Sequence, residues 1–171
     1  MSSSSAVDQT IAASESVVIY THSMLEGSMT FIKSHAEALN HYRAVYVGAH
    51  RDHGIPLPAD RTYVLNEGTT TGLLREALFR KWGWAPGLVA DVRRHNPKVV
   101  HAHFGTSGPA GLALAERLGV PLVITFHGYD ATRRASEVAK SRRGRELLRS
   151  KDRLIERTDA FIAVSEFIRQ R

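Results

Sequence analysis

The chain has 171 residues, 43% of them hydrophobic and 23% charged, with no cysteine and a net charge of +6. That length suits one domain with a full core, and the lack of cysteine excludes disulfides, thiolate zinc sites and thiol nucleophiles. The charge is concentrated: Ala131–Thr158 carries ten Lys/Arg against four acids, and the rest of the chain is neutral. Such a segment attracts anionic lipid, phosphate or nucleic acid, unless it is simply a solvated helix face. No apolar run approaches the roughly 18 residues of a membrane span.

The opening MSSSSAVDQTIAASES has neither the basic nor the apolar region of a secretory leader. Residues 1–15 read as a flexible tail and 16–171 as one domain. Val17–Tyr20 is a short apolar run suited to a strand buried on both faces. It runs into polar Thr21–Ser23, then a turn at Glu26–Gly27–Ser28 and a helix with Phe31, Ile32, His35, Ala36 and Leu39 on one stripe. Arg43–Gly48 and Thr62–Leu65 are the next strands, separated by a loop rich in Gly and Pro. Thr69–Lys81 is expected to be helical with an apolar stripe of Leu73, Leu74, Ala77 and Leu78, and a further helix covers Leu88–Asn96. Then come a strand at Lys98–Ala102, a helix at Pro109–Leu118 closed by Gly119, and a strand at Pro121–Phe126. Glu146–Arg157 is helical with Leu147, Leu148, Leu154 and Ile155 on one face. Ala160–Val164 is another buried strand, and Ser165 caps a last helix. Alternating strands and helices predict an α/β fold with a doubly wound, mostly parallel sheet, Rossmann-like. Ligands of such sheets sit beyond the carboxyl ends of the strands.

Those ends hold the polar residues. His127 follows the strand VITF, Gly128 permits a sharp turn, and Asp130 could orient the histidine, bind a sugar hydroxyl or cap the next helix. In HAHFG, alternation puts His101 and His103 on one face; with His127 they could make a three-nitrogen metal site, or one could pack while the other faces a cleft. Gly27 would let a phosphate approach backbone N–H groups. G-x-G-x-x-G and the P-loop are both absent, which argues against nicotinamide or P-loop nucleotide binding. Aromatic residues are not interleaved with the basic run, so nucleic acid is not an expected partner.

VVHAHFGTSGPAGLALAERLGVPLVITFHGYD resembles the amino-terminal domain of family 4 glycosyltransferases, which have the GT-B fold. RTDAFIAVSEFIRQR is similar to the passage where that domain nears its end, and SMLEGSMTFIKSHAEAL looks like the first loop and helix of members acting on bacterial surface polysaccharides. The resemblance spans Val17–Arg171 and implies retaining transfer of a sugar from a nucleotide-sugar donor to a hydroxyl or lipid-linked acceptor, with no metal and no further cofactor. It implies catalytic positions for His127 and Asp130, donor binding at Gly27 and Ser28, and an acceptor side at His103 and Gly105. The family's second, donor-binding domain and its Glu-x7-Glu motif have no counterpart in the sequence, so catalysis by this chain alone is not expected. A cytoplasmic location is implied, peripheral on the inner face of the membrane if Arg133–Arg157 docks on anionic lipid. Two other readings stand beside this one: a non-catalytic acceptor- or membrane-binding module, and a metal-dependent hydrolase using His101, His103 and His127.

Overall fold

Short β-branched runs become the strands β1 (Ser16–Ser23), β2 (Arg43–His50), β3 (Thr62–Asn66), β4 (Pro97–His103), β5 (Leu122–Phe126) and β6 (Ala160–Ala163) in a computed structural model that describes residues 15–51 and 54–170. All pair in parallel, in the order β3-β2-β1-β4-β5-β6. This is the Rossmann order, whose chain direction of winding reverses between β1 and β4 and opens a crevice at their carboxyl ends. The expected tail over 1–15 lies outside the described residues apart from Glu15.

The helices are α1 (Thr30–Glu37), α2 (Thr70–Trp82), α3 (Pro86–Arg93), α4 (Gly108–Leu118), one-turn α5 (Tyr129–Thr132) and α6 (Ala135–Val138), α7 (Arg142–Arg157) and one-turn α8 (Glu166–Arg169). Local signals set their ends. Thr69 Oγ1 accepts from Gly72 N at 3.0 Å and Ser141 Oγ from Gly144 N at 2.9 Å, each satisfying an orphan first-turn donor. Gly119, with φ +75°, closes α4 in the left-handed region. Alternation along β1 divides the core. Val18 and Tyr20 join Phe79 of α2, Val92 of α3, Leu112 and Leu114 of α4 and Leu154 of α7 on one face. Val17 and Ile19 join Ile32 and Ala36 of α1, Met24 and Leu25 on the other.

Three expectations are corrected. β1 continues through Thr21, His22 and Ser23, and β2 reaches His50, so polar residues expected in a loop are held in the sheet. Leu73 and Leu74 do not line the inner face of α2; they are 59% and 61% exposed. The inward stripe is Gly72–Glu76–Phe79, equally helical in period, with Gly72 and Phe79 buried. Gly72 selects it: a Cβ there would stand 2.6 Å from Asn66 Oδ1 at the end of β3, so the helix approaches the sheet on its glycine. β6 is not buried either, with Phe161 46% and Ile162 42% exposed. It is an edge strand paired to β5, with only the one turn of α8 following it beside the sheet edge among the described residues. For the same reason Leu148 and Ile155 of α7 stay exposed while Leu154 is buried.

Candidate functional site

The strand ends beside the β1/β4 crevice are tied together by one carboxylate. Asp130 Oδ2 accepts from Gly105 N at 2.6 Å, and Oδ1 accepts from His127 N at 3.0 Å and Gly128 N at 3.2 Å. Two loops from different strands are thereby locked in one arrangement. Glycine is demanded at both. Gly128 has φ +114°, and a Cβ on Gly105 would meet the Phe126 ring at 2.6 Å. Phe104, before Gly105, holds φ +70°, a costly conformation for a large side chain and one that collects at functional sites.

That strained turn sets Phe104 against the His127 ring, centroids 4.6 Å apart, while Phe31 from the first turn of α1 lies 5.0 Å away. The His127 imidazole is thus flanked by two aromatics and half-buried. Its Nε2 lies 3.0 Å from His103 Nδ1. Behind it, His103 and His101 stack at 4.2 Å, His101 Nε2 lies 2.6 Å from Thr125 Oγ1, and His35 of α1 meets His101 edge-on at 6.2 Å. The alternation that puts His101 and His103 on one face is borne out.

Burial disfavours the charged form of His101, His103 and His127. It pushes His101 down to about 4 and His103 further, with the neighbouring imidazoles adding to the effect in both cases. Burial lowers His127 too, opposed by the Asp130 carboxylate. His103 is only 2% exposed and its Nε2 is buried without a partner among the described residues. It therefore stands behind His127, away from solvent.

Of the residues singled out in the sequence, His103, Gly105, His127 and Asp130 form one cluster. Gly27 and Ser28 form an exposed 3-10 turn (Gly27–Met29) that leads into α1 and so into Phe31; nothing lies within 4 Å of a Cβ built on Gly27. The hydrolase reading needs three converging nitrogens from His101, His103 and His127. The rings stack face to face instead, and among the described residues the group whose ligand atoms do converge is a different one, His22, His50 and Glu76. Phe31 was read only as part of the α1 stripe, and neither Phe104 nor Thr125 was given a site role; of these Phe104 carried a signal, as the residue directly after His-Ala-His.

Comparison with known proteins gives the family. The model of Glycosyltransferase Family 4 matches residues 27–171. The chain belongs to glycosyltransferase family 4. It is also 35% identical over 85 residues to an uncharacterized glycosyltransferase, YqgM of Bacillus subtilis (strain 168). That match covers 48% of this chain and 23% of YqgM, so the chain spans about a quarter of that relative's length. In this family 4 chain the matched region includes the aromatic-flanked histidine, the Asp130 clamp and the whole of α7. Among the described residues, no helix is long and apolar enough to cross a membrane.

Proposed function

We propose that this chain is the acceptor-side, Rossmann-like half of a GT-B enzyme that moves a sugar from a nucleotide-sugar donor to a hydroxyl acceptor with retention at the anomeric carbon. The observation that carries the reading is His127, gripped between Phe31 and Phe104 with its loop fixed by Asp130. A neutral histidine so held is a preorganised polar group in a partly dry site, where such groups stabilise developing charge best.

The hydrogen-bond chain favours one tautomer. If His103 donates Nδ1–H to His127 Nε2, its buried Nε2 is left as an unpaired acceptor; the reverse arrangement would bury an unpaired N–H. With His103 as donor, His127 carries its proton on Nδ1 and presents an N–H to a sugar or diphosphate oxygen. Asp130 is then a positioning residue, since both its oxygens are taken by backbone N–H groups. His103 sets the tautomer from behind, Gly105 lets the β4 turn approach Phe126, and Gly27 and Ser28 give a phosphate or acceptor room beside α1. The donor nucleotide is held chiefly by a second domain.

The test is sugar transfer by the full-length protein that contains this chain, offered a panel of uridine and guanosine diphosphate sugars, with the product's anomeric configuration read by NMR. Transfer with the donor's configuration kept supports the reading. Hydrolysis of an unrelated substrate class, or transfer with inversion, overturns it.

A second reading concerns location. Trp82 and the cationic Arg142, Arg149 and Arg153 border one shallow hollow between α2 and α7, and Trp82 is 58% exposed. An aromatic beside clustered cations suits the headgroup layer of an anionic membrane. Part of the charge is already answered, because Arg153 and Arg157 share Glu116. Docking on the inner membrane face would bring a lipid-linked acceptor to the site.

A further inference from the structure

On the opposite side of β1 from the His127 cluster lies a second group of chemistry-bearing side chains that the transfer reaction does not use. His22 leaves β1 and His50 leaves β2, one residue apart in the parallel register, where Ser23 pairs with His50. Their rings meet edge-on with centroids 4.9 Å apart. Glu76 reaches them from the inward stripe of α2, with Oε1 3.9 Å from His22 Nε2. One ligand atom from each residue lies within 4.8 Å of the other two, and all three residues are partly buried.

We propose that His22, His50 and Glu76 bind a transition-metal dication of the Zn²⁺ class as three of its ligands. Two imidazoles and one carboxylate are the donor set of an open zinc site, and imidazole selects Zn²⁺, Co²⁺ or Ni²⁺ over Mg²⁺. Tetrahedral bonds of roughly 2.0–2.1 Å space ligand atoms about 3.3 Å apart, so metal binding draws the His22–Glu76 pair in from 3.9 Å by about 0.6 Å and any pair at the 4.8 Å limit by about 1.5 Å.

Two further observations point to a ligand. Outer contacts aim the donors: Asn66 Nδ2 donates to Glu76 Oε2 at 3.0 Å, turning Oε1 inward, and the Ser23 hydroxyl lies 3.1 Å from His50 Nε2. Tyr20 is fully buried and its hydroxyl has no hydrogen-bond partner among the described residues. It lines the same small cavity as His22 and Glu76, with about 10 Å³ of room, enough for a single water. Arg80 competes for Glu76, with Nη1 3.5 Å from Oε1, but its Nε also lies 3.8 Å from Glu146, a second carboxylate that can hold it when the metal binds.

The site does not depend on the sugar-transfer reading, and its test reads binding alone. The full chain, free of any histidine tag and stripped with chelator, is titrated with Co²⁺ and followed by visible absorption. Expected are one equivalent bound with the intense bands of tetrahedral Co²⁺, displacement by Zn²⁺, and no displacement by millimolar Mg²⁺. Glu76→Gln and His50→Ala should each weaken Co²⁺ by about tenfold or more, while His127→Ala leaves stoichiometry and affinity unchanged. Circular dichroism checks that each variant folds, and Glu76→Gln, which keeps an acceptor for Asn66, serves if His50→Ala does not. Absence of stoichiometric uptake, equal displacement by Mg²⁺, or unchanged affinity in the folded variants overturns the proposal.

Discussion

Asp130 accepts from three backbone N–H groups on two loops, so its worth lies in holding those loops together. Asp130→Asn keeps one acceptor oxygen and sets an amide N–H₂ against backbone donors. Hydrogen bonds to a charged group contribute roughly 1.5–3 kcal/mol each, and an unsatisfied donor costs more. Urea unfolding should show a loss of about 2–4 kcal/mol. A change below about 0.5 kcal/mol would mean the clamp is not formed. The histidine row makes a pH prediction at the same scale. His101 and His103 are held neutral in the fold, with His101 pushed down to about 4 and His103 lower still. Below pH 6.5 the unfolded chain binds protons that the folded chain refuses, so stability is full above that pH and falls as pH drops toward 4. The slope is up to about 1.4 kcal/mol per pH unit for each histidine. Urea midpoints between pH 7 and pH 5 should fall, and less steeply in His101→Asn. His127, Gly128 and Asp130 were legible because they follow one another after a strand. The Phe31–His127 contact was not, since it joins residues far apart in the chain through the fold alone.

Helix α2 shows where periodicity stops deciding. Leu73, Leu74, Ala77 and Leu78 and the stripe Gly72–Glu76–Phe79 both repeat at helical spacing, and the leucines are the more apolar set. Close approach at Gly72 chose the other. Leu74→Ala should therefore change stability by no more than about 0.5 kcal/mol, whereas Phe79→Ala should cost about 3–5 kcal/mol. Comparable losses for the two, measured by chemical denaturation, would restore the leucine stripe as the buried face. Strand β6 teaches the same lesson. Its apolar composition matched an interior strand, yet an edge position with uncovered faces leaves Phe161 and Ile162 exposed. Composition reports what a segment tolerates; its neighbours decide what is buried. Where local chemistry is strong, as at the Ser165 cap and the Gly119 stop, sequence and structure agree closely; the Ser141 cap, which starts α7 at Arg142 and so ahead of Glu146, was not read from the sequence.

At the scale of the whole molecule, the alternating strand–helix pattern set the sheet class, and the strand order then placed His103 and Gly105 at the end of β4, at the switch from β1, with His127 and Asp130 beside them at the end of β5. The His22–His50–Glu76 group lay hidden in the sequence, because its members are spread over β1, β2 and α2 and meet only after folding. The uneven charge was visible from the start, and its consequence is testable on vesicles. Each cation near an anionic surface contributes about 1 kcal/mol. Binding to phosphatidylserine-containing vesicles should thus exceed binding to neutral ones, and Arg142→Ala/Arg149→Ala should weaken it roughly thirtyfold. Equal sedimentation with both vesicle types would reduce α7 to a solvated face. The most direct test of the site is steady-state sugar transfer by the full-length protein with His127→Ala. The account predicts kcat/KM lower by about 10²–10³-fold, as for loss of one preorganised donor, with the fold intact by circular dichroism. Transfer at the wild-type rate by a folded His127→Ala protein would contradict it.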